Sequence, residues 1–441
     1  MTGRRQENTE MRRSKKAQRT RTVLVAGGAG FLGSHLCEAL FRDGYRVICV
    51  DNFLTGRIEN ITSLIGQSRF RLIEQDICNP LELGEPVDRI FNLACAASPP
   101  RYQADPIHTT RTCVIGTLNL LELAVCDDAR FLQASTSEVY GDPEQHPQRE
   151  DYLGHVNCTG PRACYDEGKR TAETLCFDYL RADMADVRVA RIFNTYGPRM
   201  DPADGRIVSN LVMQALEKRP LTIFGDGRQT RSFCYVTDLV EGLLRLMDIE
   251  PNPRQPINLG NPGEFTILDL AGLVRELTGT RSPVKFLPLP EDDPRRRRPD
   301  IARARSLLGW SPKVPLRQGL LQTVIYFADL GNGAAEPPVA ATNRSGAGGF
   351  EPGGRDNPDA TRVLYAEGEH PTEILVGPDH PRHGERSRAV EAISQGHRAD
   401  GGRANRRLPA TIVHHVSRML RQPDDDASPT RRSRQHPRAG S

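Results

Sequence analysis

Two short stretches carry side chains of types and spacing that could do chemistry. In "ASTSEVYG", Ala134–Gly141, Thr136, Ser137 and Glu138 place two hydroxyls and a carboxylate where the apolar run "ARFLQ" stops. In "GPRACYDEGKR", Tyr165 and Lys169 stand four residues apart, a spacing that puts two side chains on one helix face. A phenol ordinarily loses its proton at about pH 10. A neighbouring ammonium is expected to favour the phenolate and make Tyr165 a usable base near neutrality. Each motif alone has a plainer reading: Ser and Thr are ordinary turn formers, and Tyr-x-x-x-Lys is common by chance.

For these groups to meet, the end of a strand must lie beside a helix. Short β-branched runs alternate with helical patterns over residues 22–330, the pattern of βαβ units on a parallel sheet. Thr22–Ala26 reads as a buried strand, a helix pattern runs from about Phe31 to Arg42, Gly44 ends it, and "RVICV" gives the second strand. Between the first strand and its helix lie Gly27, Gly30 and Gly33. Glycines there allow a tight turn, a close approach of backbone to a pyrophosphate, and anion binding at the helix N-terminus. Asp51 ends the second strand, placed to accept hydrogen bonds from an adenosine ribose. Its charge would repel a 2′-phosphate, which favours NAD over NADP, and the positive nicotinamide ring of that cofactor is expected to join Lys169 in favouring the Tyr165 phenolate. Asp76, after the third strand, is expected near the adenine. The helix bearing Tyr165 is expected to open on Gly160-Pro161. Thr266 and Asp269 form a capping-box start to another helix.

The expected fold is therefore α/β: a Rossmann-type doubly wound parallel sheet over residues 22–195, and a smaller C-terminal α/β substrate-binding region over 196–330, with some interleaving. Residues 1–21 hold eight Lys/Arg against two Glu and read as a disordered basic tail. Residues 331–441 contain no Lys and seven of the eleven histidines, with Gly, Pro, Ala, Asp and Arg dominant, and read as low-complexity and disordered. The net charge of +3 gives no argument for nucleic acid or an anionic membrane, and no run of about 18 apolar residues suggests a membrane span. Ten scattered cysteines without C-x-x-C spacing suit reduced thiols, a cytoplasmic setting and no metal site.

Together the glycine triplet, the Ser/Thr-bearing strand end and Tyr165-x-x-x-Lys169 resemble the extended short-chain dehydrogenase/reductase family. Within it, "VDNFLTGR", "ASPPRYQADPI", "ACYDEGKR", "RIFNTYGPRM", "QTRSFCYVTDLV" and "DDPRRRRPDI" are similar to the UDP-glucuronic acid decarboxylase (UDP-xylose synthase) group, over about Thr22–Leu330. The resemblance implies an NAD site made by Gly27, Gly30, Phe31, Leu32, Gly33, Asp51, Asn52, Phe53, Thr55, Gly56, Asp76, Ile77, Leu93, Thr112, Ala134, Tyr165, Lys169 and Thr195. It implies UDP-glucuronate contacts from Tyr102, Arg111, Asn119, Asn194, Arg206, Arg231 and Arg297, and a homodimer.

The chemistry it implies is decarboxylation to UDP-xylose. Tyr165 takes the C4 hydroxyl proton as hydride leaves to NAD, with Thr136 or Ser137 holding the oxygen. The resulting 4-ketone lies β to the carboxylate, which leaves as carbon dioxide, and hydroxyl donors at that oxygen are worth about 3 kcal/mol of barrier. Arg297 positions the carboxylate, Glu138 and Ser137 act around C5, and the same hydride returns. The alternatives are a nucleotide-sugar 4,6-dehydratase or 4-epimerase, a decarboxylase that releases the 4-keto-pentose, and a non-catalytic NAD-binding scaffold. Cys95-Ala96 stands where the group usually has Ser-Pro, Cys113 where Asn is common, Arg111 where Lys is expected, and Cys158 where a proline is usual.

Overall fold

"TVLVA" is apolar along its whole length, as a strand covered on both faces must be. It forms β1 (Thr22–Ala26), and all five residues are buried. The chain continues through β2 (Arg46–Asp51), β3 (Phe70–Glu74), β4 (Arg89–Asn92), β5 (Arg130–Thr136) and β6 (Val187–Ile192). Short strands β7 (Thr195–Tyr196), β8 (Leu221–Phe224), β9 (Thr230–Ser232) and β10 (Cys234–Tyr235) follow, then β11 (Ile257–Leu259), β12 (Glu264–Thr266), β13 (Val284–Leu287) and β14 (Arg296–Arg297). Seven strands make one parallel sheet in the order β11-β6-β5-β4-β1-β2-β3. The order reverses at β1, where doubly wound sheets open a ligand crevice beyond the strand ends. The computed structural model describes residues 20–289 and 296–331, so nearly all of both expected tails lies outside the described residues.

Helices Phe31–Arg42 and Val236–Asp248 cover one face of the sheet, and Thr117–Asp127 and Ala163–Arg181 the other. A second core joins helices Ile207–Leu216, Ile267–Thr278 and Leu316–Gly331. The expected division after residue 195 is crossed twice. β11 adds the seventh strand beside β6, and Val236–Asp248 packs in the first core. Interleaving is thus the rule, because the edge strand β6 leaves backbone groups that β11 returns to pair.

Two other expectations shift by a few residues. β5 runs on through Thr136, so the reactive triplet straddles a strand end and the 3-10 turn Ser137–Tyr140. The Tyr165 helix starts at Ala163, with Gly160 and Pro161 in the turn ahead of it. The capping box at Thr266 and Asp269 is present as expected.

Candidate active site

A cleft of about 510 Å³ opens at the C-terminal ends of the sheet strands and continues over the second core. Thr136, Ser137, Glu138, Tyr165, Lys169 and Arg297 all line it. So do the expected cofactor residues except Phe53 and Gly56, together with Asn194, Arg206 and Arg231. Tyr102, Arg111 and Asn119 do not line it.

The glycine turn fits a dinucleotide on steric grounds. Gly27 adopts φ +75°, and its N–H donates to the Val50 carbonyl at 2.8 Å. A Cβ at Gly33 would lie 2.0 Å from the Gly27 carbonyl oxygen, so only glycine lets this helix start sit against the turn. Asp51 is buried and holds the loop by accepting from Ala29 N–H and Phe53 N–H, both at 2.9 Å; burial pushes its carboxyl up. Gly56 packs on Asp51, where a Cβ would meet a carboxylate oxygen at 2.5 Å. Phe53 and Gly56 therefore shape the Asp51 loop from outside the cleft.

At the far end, Asp76 accepts from Cys78 N–H (2.8 Å), Asn52 (2.9 Å) and His108 (2.7 Å). Burial opposes these bonds, yet together they draw its carboxyl down to about 2. Asp76, Cys78 and His108 are the one grouping among the described residues with donor atoms at metal-binding separations, within 4.8 Å of one another. Asp76's oxygens are already engaged there. Asn119 donates to the Ile77 carbonyl at 2.8 Å, so it fixes the cofactor wall and makes no wall of the sugar side. Arg111 is exposed.

The helix Ala163–Arg181 is clamped to β5 by polar contacts at successive turns. Lys169 Nζ donates to the Ala134 carbonyl at 3.0 Å, and Glu173 pairs with the Ser135 hydroxyl and with Arg191 (Nη2 at 2.8 Å). The clamp sets Tyr165 beside Thr136. Lys169 by itself does not offset burial at Tyr165; the sequence reading counts the positive nicotinamide ring as well. Burial pushes the Tyr165 phenol well above its usual range, with the nearby Cys95 adding to the rise and a hydrogen bond with Thr136 opposing it. Lys169's ammonium is 5.8 Å from the ring centroid and engaged on a carbonyl. Desolvation of a buried phenol outweighs a cation at that range. Tyr102 lies flat on Tyr165, centroids 4.9 Å apart and planes 3° from parallel. It is buried, and its hydroxyl has no hydrogen-bond partner. Its place is as a brace for the tyrosine ring.

Glu138 sits between two guanidinium groups. Arg297 reaches it with both Nη atoms, the second at 2.7 Å, and Arg162 Nη2 reaches it at 2.6 Å. Burial alone would raise this carboxyl; the two arginines outweigh it and hold it at about 2. Arg162 escaped the sequence reading. Its signal was an anomaly: a cation at the positive end of a 19-residue helix, where the macrodipole disfavours it. Asp166, one turn on, lies 3.9 Å from Arg162, and burial beside Glu138 pushes its carboxyl up to about 7. Arg231 is buried on the same wall as Arg297, and Arg206 stands over the Phe31 ring at 5.8 Å.

The model of the NAD dependent epimerase/dehydratase family matches residues 23–260. The chain belongs to this family. It is 56% identical over 306 residues to UDP-glucuronic acid decarboxylase 1 of Danio rerio, covering 69% of this chain and 72% of that protein. It is 54% identical over 311 residues to UDP-glucuronic acid decarboxylase 3 of Arabidopsis thaliana, covering 70% of this chain and 90% of that one. Among solved structures, UDP-glucuronic acid 4-epimerase from Bacillus cereus, in complex with UDP-glucuronic acid and NAD, superposes with a TM-score of 0.64. It is 32% identical, covering 70% of this chain and 99% of that one.

Proposed function

We propose that this family member decarboxylates UDP-glucuronate to UDP-xylose. The observation that carries the reading is the placement of Arg297, a buried bidentate guanidinium, on the same cleft wall as Glu138 and within the tyrosine's cavity. The fork that holds the Glu138 carboxylate here matches the sugar's C6 acid equally well. Arg162 keeps Glu138 paired when the fork turns to that acid, the group that must be held and then lost. NAD, in a site formed by the Gly27–Gly33 turn, Asp51 and Asp76, supplies the hydride acceptor and donor at C4. Asp51's carboxylate supports NAD over its 2′-phosphorylated form. Tyr165, braced by Tyr102, takes and returns the C4 hydroxyl proton. Thr136 and Ser137 donate to the C4 oxygen as negative charge develops there. Arg297 anchors the carboxylate, and Glu138 works near C5. Arg231, Arg206 and Asn194 face the UDP. Return of the hydride to C4 within one turnover leaves the pentose and regenerates NAD.

The near rival is a 4-epimerase acting on the same acid, as the Bacillus cereus neighbour's name has it. Incubating the full chain with UDP-glucuronate and NAD⁺ and resolving products by mass spectrometry separates the readings. UDP-pentose with carbon dioxide is expected. UDP-galacturonate without carbon dioxide would replace this reading by the epimerase, and a 4-keto-pentose with stoichiometric NADH by an enzyme that stops early. The reading extends to a homodimer through helices Thr117–Asp127 and Ala163–Arg181, which leave Leu118, Leu175 and Tyr179 half-exposed. It extends also to the cytoplasm, which suits ten cysteines none of which is in a disulfide. Among the described residues no helix is long and apolar enough to cross a membrane.

A further inference from the structure

Two departures from the group's usual residues, Cys95 and Cys113, are 18 positions apart in sequence and meet in the fold with their sulfurs 3.5 Å apart. Cys95 follows β4 and forms part of the cleft wall. Cys113 lies in a single π-helical turn, Thr112–Gly116, an element often found at functional sites. It packs on the catalytic helix at Gly168, where a Cβ would come within 3.0 Å of Cys113's own Cβ. The thiol pair is thus wedged between the cofactor wall and the turn that carries Tyr165 and Lys169. A second thiol pair, Cys37 with Cys49, is sealed in the core with no exposure at either residue. Cys126 and Cys158 are exposed.

We propose that Cys95 and Cys113 are a modification site: a hydroperoxide entering the cleft converts the pair to a disulfide, and the disulfide closes the site to the cofactor. The inference rests on the cleft being the NAD site. In the first step a thiolate sulfur attacks one peroxide oxygen, the O–O bond breaks, and the other oxygen leaves as water or an alcohol after taking a proton. The sulfenic acid left behind is attacked by the second sulfur; the S–S bond forms and hydroxide departs as water with that thiol's proton. Two thiols are oxidised by two electrons and one hydroperoxide is reduced. The sulfur contact with Cys95 draws the Cys113 thiol down to about 7, against its burial and with help from Lys169. Cys95's own thiol is pushed up by the same contact and by its burial, so the attacking thiolate is Cys113's, reached past Cys95 on the cleft wall. Closing the sulfurs from 3.5 Å to a bond of about 2.05 Å drags the π turn against the catalytic helix. Misplacing catalytic groups by 1 Å can cost about 100-fold in rate.

The test uses the full chain with Cys126→Ser and Cys158→Ser to silence the exposed thiols. It is treated with hydrogen peroxide in the presence or absence of excess NAD⁺. Three results are expected: a Cys95–Cys113 cross-linked peptide with two fewer free thiols, a fall of about 10-fold or more in NAD⁺ affinity by calorimetry, and full recovery with dithiothreitol. Prior saturation with NAD⁺ should slow the cross-link. Cys113→Asn and Cys113→Ser should each show no reversible loss when compared with their own untreated protein. A cross-link at Cys37–Cys49, no cross-link at all, or a Cys95–Cys113 disulfide with unchanged NAD⁺ affinity would overturn the inference. If the reduced protein itself failed to bind NAD⁺, the functional reading would fall instead.

Discussion

The two ends of the cleft are built by opposite means. The cofactor end is made largely of backbone: Gly27 to Gly33 are contiguous, Asp51 is locked by two amide N–H groups, and close packing selects glycine. The sugar end is made of side chains brought from afar. Glu138 and Arg297 are 159 positions apart and meet as a buried ion pair, with Arg162 joining from the helix start. A backbone-made site is written in consecutive residues. A side-chain-made site exists only once the fold has closed, and its electrostatics are decided there.

Tyr165→Phe should have the largest effect, cutting turnover by about 1,000-fold, in the range of general acid–base loss. Binding of NAD⁺ should persist, since the glycine turn, Asp51 and Asp76 are untouched; loss of both would mean the two ends are one unit. Arg297→Ala should nearly abolish decarboxylation and lower stability by about 3 kcal/mol, because it leaves a buried carboxylate half-compensated. Lysine at 297 should restore little, lacking the fork; full rescue would reduce Arg297 to a mere charge. At the cofactor end, Gly33→Ala should weaken NAD⁺ binding severely and destabilise by about 1–3 kcal/mol. UDP binding should remain, a contrast that titration calorimetry with each ligand reads directly.

The smallest effect is in pH. Glu138's carboxyl is held at about 2 in the folded protein, below an unfolded value of about 4.3. The native state therefore gains stability that is fully present above the unfolded value and lost as pH falls through the folded one. Asp166 runs the other way. Its carboxyl is raised to about 7, so its contribution is present at low pH and is lost as pH rises through that value. Thermal unfolding of Glu138→Gln across about pH 5 to 2 should show a flatter decline than the parent. Asp166→Asn should be relatively more stable above about pH 7.

The sequence made the cofactor end legible almost to the residue, since β1, its helix Phe31–Arg42 and the glycine spacing are local signals. Phe53 and Gly56 lie behind the cleft lining, against Asp51. At the sugar end, residue types were legible and relations were not. Arg162 had no motif, only its misfit with the helix dipole. Tyr102 and Asn119, both read as ligand contacts, also have roles within the protein: one stacks on Tyr165 and the other donates to the Ile77 carbonyl. The phenol's acidity followed burial more than the neighbouring ammonium, a balance that spacing alone does not reveal. β11 likewise returned to the sheet from beyond the expected boundary, since pairing an open edge outweighs chain order.

β14 is only two residues long, yet it aligns Arg297 opposite Arg231 of β9, in parallel register. The two arginines proposed to hold the sugar's acid and the diphosphate are therefore rungs of one short ladder. Slippage by a single rung would turn Arg297 outward and present Arg296 or Arg298 in its stead. On the proposed roles, nucleotide capture and acid capture would then fail together, because one register sets the spacing of both guanidinium groups.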